Sequence, residues 1–215
     1  MVEQTGKSHS PVGRENVSDL HLETDFGAIR SRLHESDGDA AVLWVFGAGG
    51  GLGGPAGGVY ERLANQFQPL NVTSLQLDYR RPGYLADCVR DVHAGIDFLK
   101  SLGKTRIVLV GHSFGGAVVI ESGISSDAVI AVAALSSQTV GAENVSELSP
   151  KPLLLIHGTD DEILPYSCSV YLYKHALEPK EIILYEGCLH GLDQCRDELD
   201  RAMTSWLTEV FEIER

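Results

Sequence analysis

Apolar residues in this chain gather into short unbroken runs, and the longer stretches between them carry apolar positions at helical spacing. Ala40 to Phe46, Arg106 to Val110, Val129 to Leu135 and Leu153 to His157 read as strands buried on both faces. Val72 to Leu77 and Glu181 to Tyr185 add two more strands of similar length. Leu85, Cys88, Val89, Val92, Ile96 and Leu99 recur at helical spacing and predict an amphipathic helix that stops near Gly103. Further helices are expected over Gly58 to Gln66, Gly115 to Ser122, about Ser167 to Leu177, and about Asp193 to Phe211. Leu20 to Thr24 and Ala28 to Leu33 alternate in part around Asp25-Phe26-Gly27, which suits an antiparallel hairpin at a sheet edge. Strands alternating with helices predict an α/β fold: a mostly parallel central sheet with helices on both faces.

Met1 to Ser18 has no periodic apolar signal and reads as a flexible tail, leaving residues 19–215 as a single domain without internal repeats. The composition, 43% hydrophobic and 22% charged, is that of an ordinary globular chain. A formal net charge of −13, with Arg80-Arg81 as the only close basic pair, argues against nucleic acid or anionic lipid as the main partner. No stretch is apolar enough for a membrane span, and the polar start lacks a signal-peptide core, so a cytoplasmic location is expected. Cys88, Cys168, Cys188 and Cys195 have no metal-ligand spacing. Cys188 and Cys195 bracket His190, which leaves a bridge around that loop open; a reducing compartment favours two free thiols.

Candidate chemistry centres on Gly111-His112-Ser113-Phe114-Gly115, which follows a buried strand and precedes a helix. That context suits a G-x-S-x-G nucleophile elbow, in which glycines let backbone and helix approach closely around a strained serine. A serine hydroxyl needs a base to take its proton and a carboxylate behind that base. Asp161 and His190 each fall just after a strand, at the sheet edge where ligands of open parallel sheets bind.

His157-Gly158-Thr159-Asp160-Asp161-Glu162-Ile163-Leu164-Pro165 resembles the H-G-x-x-D-x-x-x-P acid loop of α/β-hydrolases, and Gly187-Cys188-Leu189-His190-Gly191 is similar to that family's histidine loop. The order Ser113, Asp161, His190 is the family's chain order. The resemblance implies a triad of nucleophile, acid and base, with oxyanion-hole amides from Ala48 and Phe114. Phe46 stands where the family usually has histidine, a departure that bears on how the first amide is placed. Too few residues separate Leu135 from Leu153 for a helical lid, so an open site is expected, as in dienelactone-hydrolase-like proteins and small carboxylesterases. Ser113, where dienelactone hydrolases have cysteine, favours ordinary ester hydrolysis through an acyl-enzyme, needing no metal or organic cofactor. The expected partner is a small-molecule ester; its identity and the oligomeric state stay open.

Other readings compete. Gly49-Gly50-Gly51-Leu52-Gly53-Gly54 formally matches G-x-G-x-x-G, with Asp78 near the place of a ribose-binding acid, as in a dinucleotide-dependent oxidoreductase. That reading leaves the elbow and both partner loops unexplained. A noncatalytic small-molecule-binding protein would keep the fold but has no need of the three motifs. Asp160 and, more remotely, Asp193 are alternatives to Asp161. His112 and His157 read as packing and loop-ordering residues, and the segment from Asp78 to Gly83 either lines the pocket or caps the sheet.

Overall fold

The computed structural model describes residues 16–214. The expected tail lies outside this range except for its last three residues, of which Val17 and Ser18 already belong to the first strand. Strands β1 (Val17–Thr24) and β2 (Gly27–His34) form the expected antiparallel hairpin, in register from Val17 opposite His34 to Thr24 opposite Gly27. The chain then alternates through β3 (Ala40–Val45), α1 (Pro55–Phe67), β4 (Val72–Leu77), α2 (Leu85–Ser101), β5 (Arg106–His112), α3 (Phe114–Ile124) and β6 (Val129–Leu135). It finishes with β7 (Leu153–Gly158), α4 (Ser167–His175), β8 (Lys180–Tyr185) and α5 (Arg196–Val210). The sheet order is β1-β2-β4-β3-β5-β6-β7-β8, parallel from β4 to β8, with the hairpin antiparallel at one edge.

Strand side chains alternate between two cores, because successive residues point to opposite faces. Leu43, Val45, Leu75, Leu77, Ile107 and Leu109 pack with Val92, Ile96 and Leu99 of α2 and Ala117, Val118 and Ile120 of α3. Val42, Trp44, Val108, Val110, Leu154 and Ile156 face α1 and α5 through Val59, Tyr60, Leu63, Leu199, Met203 and Trp206. Apolar cover on both faces explains why these strands read as continuous hydrophobic runs. The Tyr60 hydroxyl donates to the Val45 carbonyl at 2.8 Å, giving this buried phenol a partner at the end of β3.

Two helices begin irregularly. The segment assigned to α1 begins at Pro55, but Ala56, Gly57 and Gly58 have φ of 51°, 60° and 92°, so regular helix starts only beyond them. The last helix is preceded by a separate tight turn, Asp193–Cys195, before α5 proper. Between β6 and β7 the connection holds one short 3-10 turn, Val145–Leu148, and no lid domain.

One buried ion pair fixes the loop from β4 to α2. Asp91 of α2 is fully buried, accepting from the Arg80 amide at 2.9 Å and from the Arg80 guanidinium. Replacing Arg80 by Met strands this carboxylate, and urea unfolding is expected to show a loss of about 3 to 5 kcal/mol. The double variant Arg80→Met/Asp91→Leu is expected to regain most of that loss; a single-variant loss below about 1 kcal/mol would mean the pair behaves as an exposed one.

Candidate active site

Ser113 sits between β5 and α3 with φ 58° and ψ −122°, a backbone conformation that residues with a Cβ rarely adopt. The turn is held by its neighbours: the Ser113 amide donates to the Leu135 carbonyl at 2.8 Å, and the Gly116 amide donates back to the Ser113 carbonyl at 3.0 Å. A Cβ at Gly111 would collide with the Gly115 carbonyl, and one at Gly115 with the Phe46 carbonyl. Both glycines are therefore required for the close approach of α3 to β5 and β3.

From Ser113 a continuous hydrogen-bonded chain runs into the protein. The Ser113 hydroxyl donates to His190 Nε2 at 3.0 Å, and His190 Nδ1 donates to Asp161 Oδ2 at 2.8 Å. Oδ1 of Asp161 accepts the amides of Ile163 and Leu164 at 2.9 and 2.8 Å. Burial alone would raise the Asp161 carboxyl pKa, but the Leu164 amide, His190 and the Ile163 amide outweigh it and hold the group below the usual carboxylate range. Asp160 is instead bonded to the Thr159 hydroxyl at 3.1 Å, and Asp193 lies beside Gly191. The geometry thus brings Asp161, rather than either alternative, to His190.

Both neighbouring histidines are packed. His112 stacks on Phe46, lies 4.8 Å from the His190 ring between centroids, and donates from Nε2 to the His190 carbonyl at 2.9 Å. Fully buried His157 donates from Nε2 to Asp161 Oδ2 at 2.9 Å and accepts at Nδ1 from the Ser169 hydroxyl at 2.7 Å. Burial depresses the pKa of both rings, that of His112 to about 4.

The glycine-rich segment after β3 lies against the serine: a Cβ at Gly47 would be 3.3 Å from Ser113 Cβ. Two acceptors from β4 and its end peg this segment, the Gln76 side chain taking the Gly53 amide at 2.9 Å and Asp78 the Gly51 amide at 2.5 Å. Asp78 also faces Arg30 at 3.5 Å, so its carboxylate ties the turn to β2. Ala48 lies within the pegged turn, and Phe114 opens α3.

Sequence reasoning gave Gln76, Glu162 and Ser169 no role here and gave Asp78 a different one. Gln76 and Asp78 are two apart, so they share one side of the β4 path, and that alternation is the signal that could have paired them with the glycines. Glu162 accepts the His190 amide at 3.1 Å, and the Ser169 hydroxyl bonds His157 Nδ1 at 2.7 Å; neither has a signal in sequence alone. Cys188 and Cys195 are bridged, with Cα atoms 6.0 Å apart, against the expectation of two free thiols. A left-handed turn at Leu192, φ 58°, folds the chain back and brings the two together.

The sequence model of the alpha/beta hydrolase family matches residues 42–166, from β3 past Asp161 and more than half of the chain. The chain belongs to the alpha/beta hydrolase family. Its fold is that family's. It is 29% identical over 178 residues to the uncharacterized protein YfhR of Escherichia coli K12, a match covering 68% of this chain. The chain spans about 62% of the length of that curated relative. Among solved structures it resembles Est1E from Butyrivibrio proteoclasticus, with a TM-score of 0.77 and 17% identity over 90% of this chain and 99% of the other. It also resembles a dienelactone hydrolase from Anabaena variabilis, with a TM-score of 0.75 and 13% identity over 91% and 99% of the two chains.

The depressed His112 pKa has a consequence for stability. In the unfolded chain His112 takes up a proton near its ordinary value of 6.5, while in the folded chain it does so only near 4. The unfolded state binds more protons between these values, so stability rises with pH across that window. Urea unfolding at pH 7 and pH 4.5 is expected to show a loss roughly 2 to 3 kcal/mol larger in wild type than in His112→Gln. Equal losses in the two proteins would refute the assignment.

Proposed function

We propose that the protein is a serine hydrolase that cleaves carboxylic esters of small molecules through an acyl-enzyme intermediate. The observation that carries this reading is the unbroken chain from the Ser113 hydroxyl through His190 to Asp161. Ser113 Oγ attacks the ester carbonyl carbon while His190 Nε2 takes the serine proton. The tetrahedral intermediate collapses as His190 returns that proton to the leaving alcohol, and a water activated by the same histidine then cleaves the acyl-enzyme. Asp161 holds the Nδ1-protonated tautomer of His190 and balances the charge the ring acquires.

The amides of Ala48 and Phe114 are the proposed oxyanion donors, supported by the approach of the Gly47 turn to Ser113 and by the place of Phe114 at the positive end of α3. His157 and Ser169 act through Asp161 as positioning residues. No helix among the described residues is long and apolar enough to cross a membrane. The proposed partner is a small-molecule ester rather than a nucleic acid or lipid bilayer.

Intact-protein mass after treatment with a fluorophosphonate tests the reading, because the probe labels an activated serine without needing the natural substrate. One adduct is expected on wild type and none on Ser113→Ala; an unlabelled, folded wild type would sink the proposal. Asp161→Asn is expected to fold and to lower kcat on an activated ester by about 10⁴, since the amide favours the wrong histidine tautomer. A loss below about tenfold would remove Asp161 from the proposed role.

A further inference from the structure

We infer that the protein carries a second ligand site, a surface cleft between the hairpin turn and α2 that binds a small aromatic monocarboxylate. The cleft has a volume of about 510 Å³ and is walled by Phe26 and Ala28 of the hairpin, Arg80 and Arg81 of the loop after β4, and Asp87 and Arg90 of α2. A cleft of that size takes a small organic molecule rather than a bare inorganic ion. Ser113, His190 and Asp161 are not among the residues that line it.

Positive charge collects here in a chain whose formal net charge is −13. Arg80 is taken up by the buried Asp91. Arg81 and Arg90, each 59% exposed, share the single carboxylate of Asp87 at 2.9 and 3.4 Å. One further monoanion gives each exposed guanidinium a carboxylate of its own, in the planar two-point geometry that arginine favours. A dianion would leave surplus negative charge beside Asp87. Arg81 stacks on Tyr84, its guanidinium carbon 4.1 Å from the ring centroid, so less side-chain freedom is lost when a ligand binds. On the other side of Phe26, Arg80 and Arg90 lies a smaller cleft of about 310 Å³, whose wall carries Glu23, Asp25 and Asp97. Those acids repel a carboxylate and direct it to the Arg81 side.

Phe26 supplies the apolar part of the site. It stands 68% exposed at the hairpin tip, and the turn itself does not call for an aromatic ring. The Thr24 hydroxyl donates to the Gly27 carbonyl at 2.7 Å and accepts the Phe26 amide at 3.2 Å, while Gly27 takes the φ of 117°. The Phe26 ring is turned to the arginines, with the guanidinium carbons of Arg90 and Arg80 at 5.5 and 5.6 Å from its centroid. A lone exposed aromatic is ordinary. One that walls a cleft beside paired arginines offers a face to the flat body of an anion whose head group they hold.

Ligand-observed NMR titrations with 2-naphthoate, the neutral 2-naphthamide and 2-naphthyl phosphate test the site. For 2-naphthoate a Kd of about 1 mM is expected from the ordinary ligand efficiency of a molecule this size, weakening as salt is added. The amide is expected to bind roughly tenfold more weakly, and the phosphate to stay within about threefold of the carboxylate. Arg81→Gln/Arg90→Gln is expected to weaken 2-naphthoate roughly tenfold, and Phe26→Ser about fivefold. All three side chains are well exposed, so these variants keep the wild-type fold, with urea unfolding as the check. Lys174→Gln/Arg201→Gln removes two exposed cations elsewhere and is expected to keep the wild-type Kd.

Equal affinity for the carboxylate and the amide overturns the anion site. An unchanged Kd in Arg81→Gln/Arg90→Gln places the ligand elsewhere, the Ser113 site included, and overturns the cleft. Equal weakening in the two double variants reduces the effect to net charge and does the same. A phosphate bound more than about threefold tighter overturns the carboxylate class. No binding of 2-naphthoate at ten times the expected Kd overturns the site outright. None of these readouts needs turnover or a labelled serine, so the serine hydrolase reading stands or falls separately.

Discussion

The left-handed backbone at Ser113 is the constraint on which the rest of the site depends. Such a conformation costs a residue with a Cβ roughly 1 to 3 kcal/mol, and it persists only where surrounding structure leaves no alternative. Here the Leu135 carbonyl on one side and the start of α3 on the other fix both ends of the turn. Gly111 and Gly115 give their space to backbone carbonyls, so α3 lies close enough to the sheet to hold the turn sharp. A turn of this kind lifts one hydroxyl clear of the strand and places the first amides of a helix beside it.

A second constraint operates at Asp161. Its two oxygens receive two loop amides and two histidine rings, and this set of donors keeps a carboxylate with a fully buried side chain ionised. His157 can donate to it only as the Nε2-protonated tautomer, which the acceptors at Nε2, the Asp161 carboxylate and the Leu164 carbonyl, select, and the Ser169 hydroxyl then donates to the bare Nδ1. The loops after β7 and β8 are joined again by Glu162 on the His190 amide, and the Cys188–Cys195 bridge ties the histidine loop to the turn before α5. His190 is thus gripped through its ring, its amide and its carbonyl, the last by His112. A side chain held at three points in this way has little freedom to rearrange.

Much of this was legible in the sequence, and the legible parts share a cause. Unbroken apolar runs identified the parallel strands because burial on both faces leaves no polar side to alternate with. The glycines around Ser113 announced the elbow because no other residue type fits where backbone meets backbone at that distance. The hairpin at the sheet edge was visible from its alternation and its central turn. The glycine-rich segment was ambiguous on its own terms, since a tight turn beside a phosphate and one beside a serine ask for the same residue.

What the sequence by itself determined was the order of elements, the alpha/beta hydrolase fold and the short list of residues able to do nucleophilic chemistry, because local periodicity and steric demand are written residue by residue. Tertiary structure alone brought Asp161 rather than Asp160 against His190, bridged Cys188 to Cys195, and recruited Gln76, Asp78, Glu162 and Ser169 as supports. Each of these depends on which strand ends the sheet places side by side, and hydrogen bonds between residues far apart in sequence form only once that order exists.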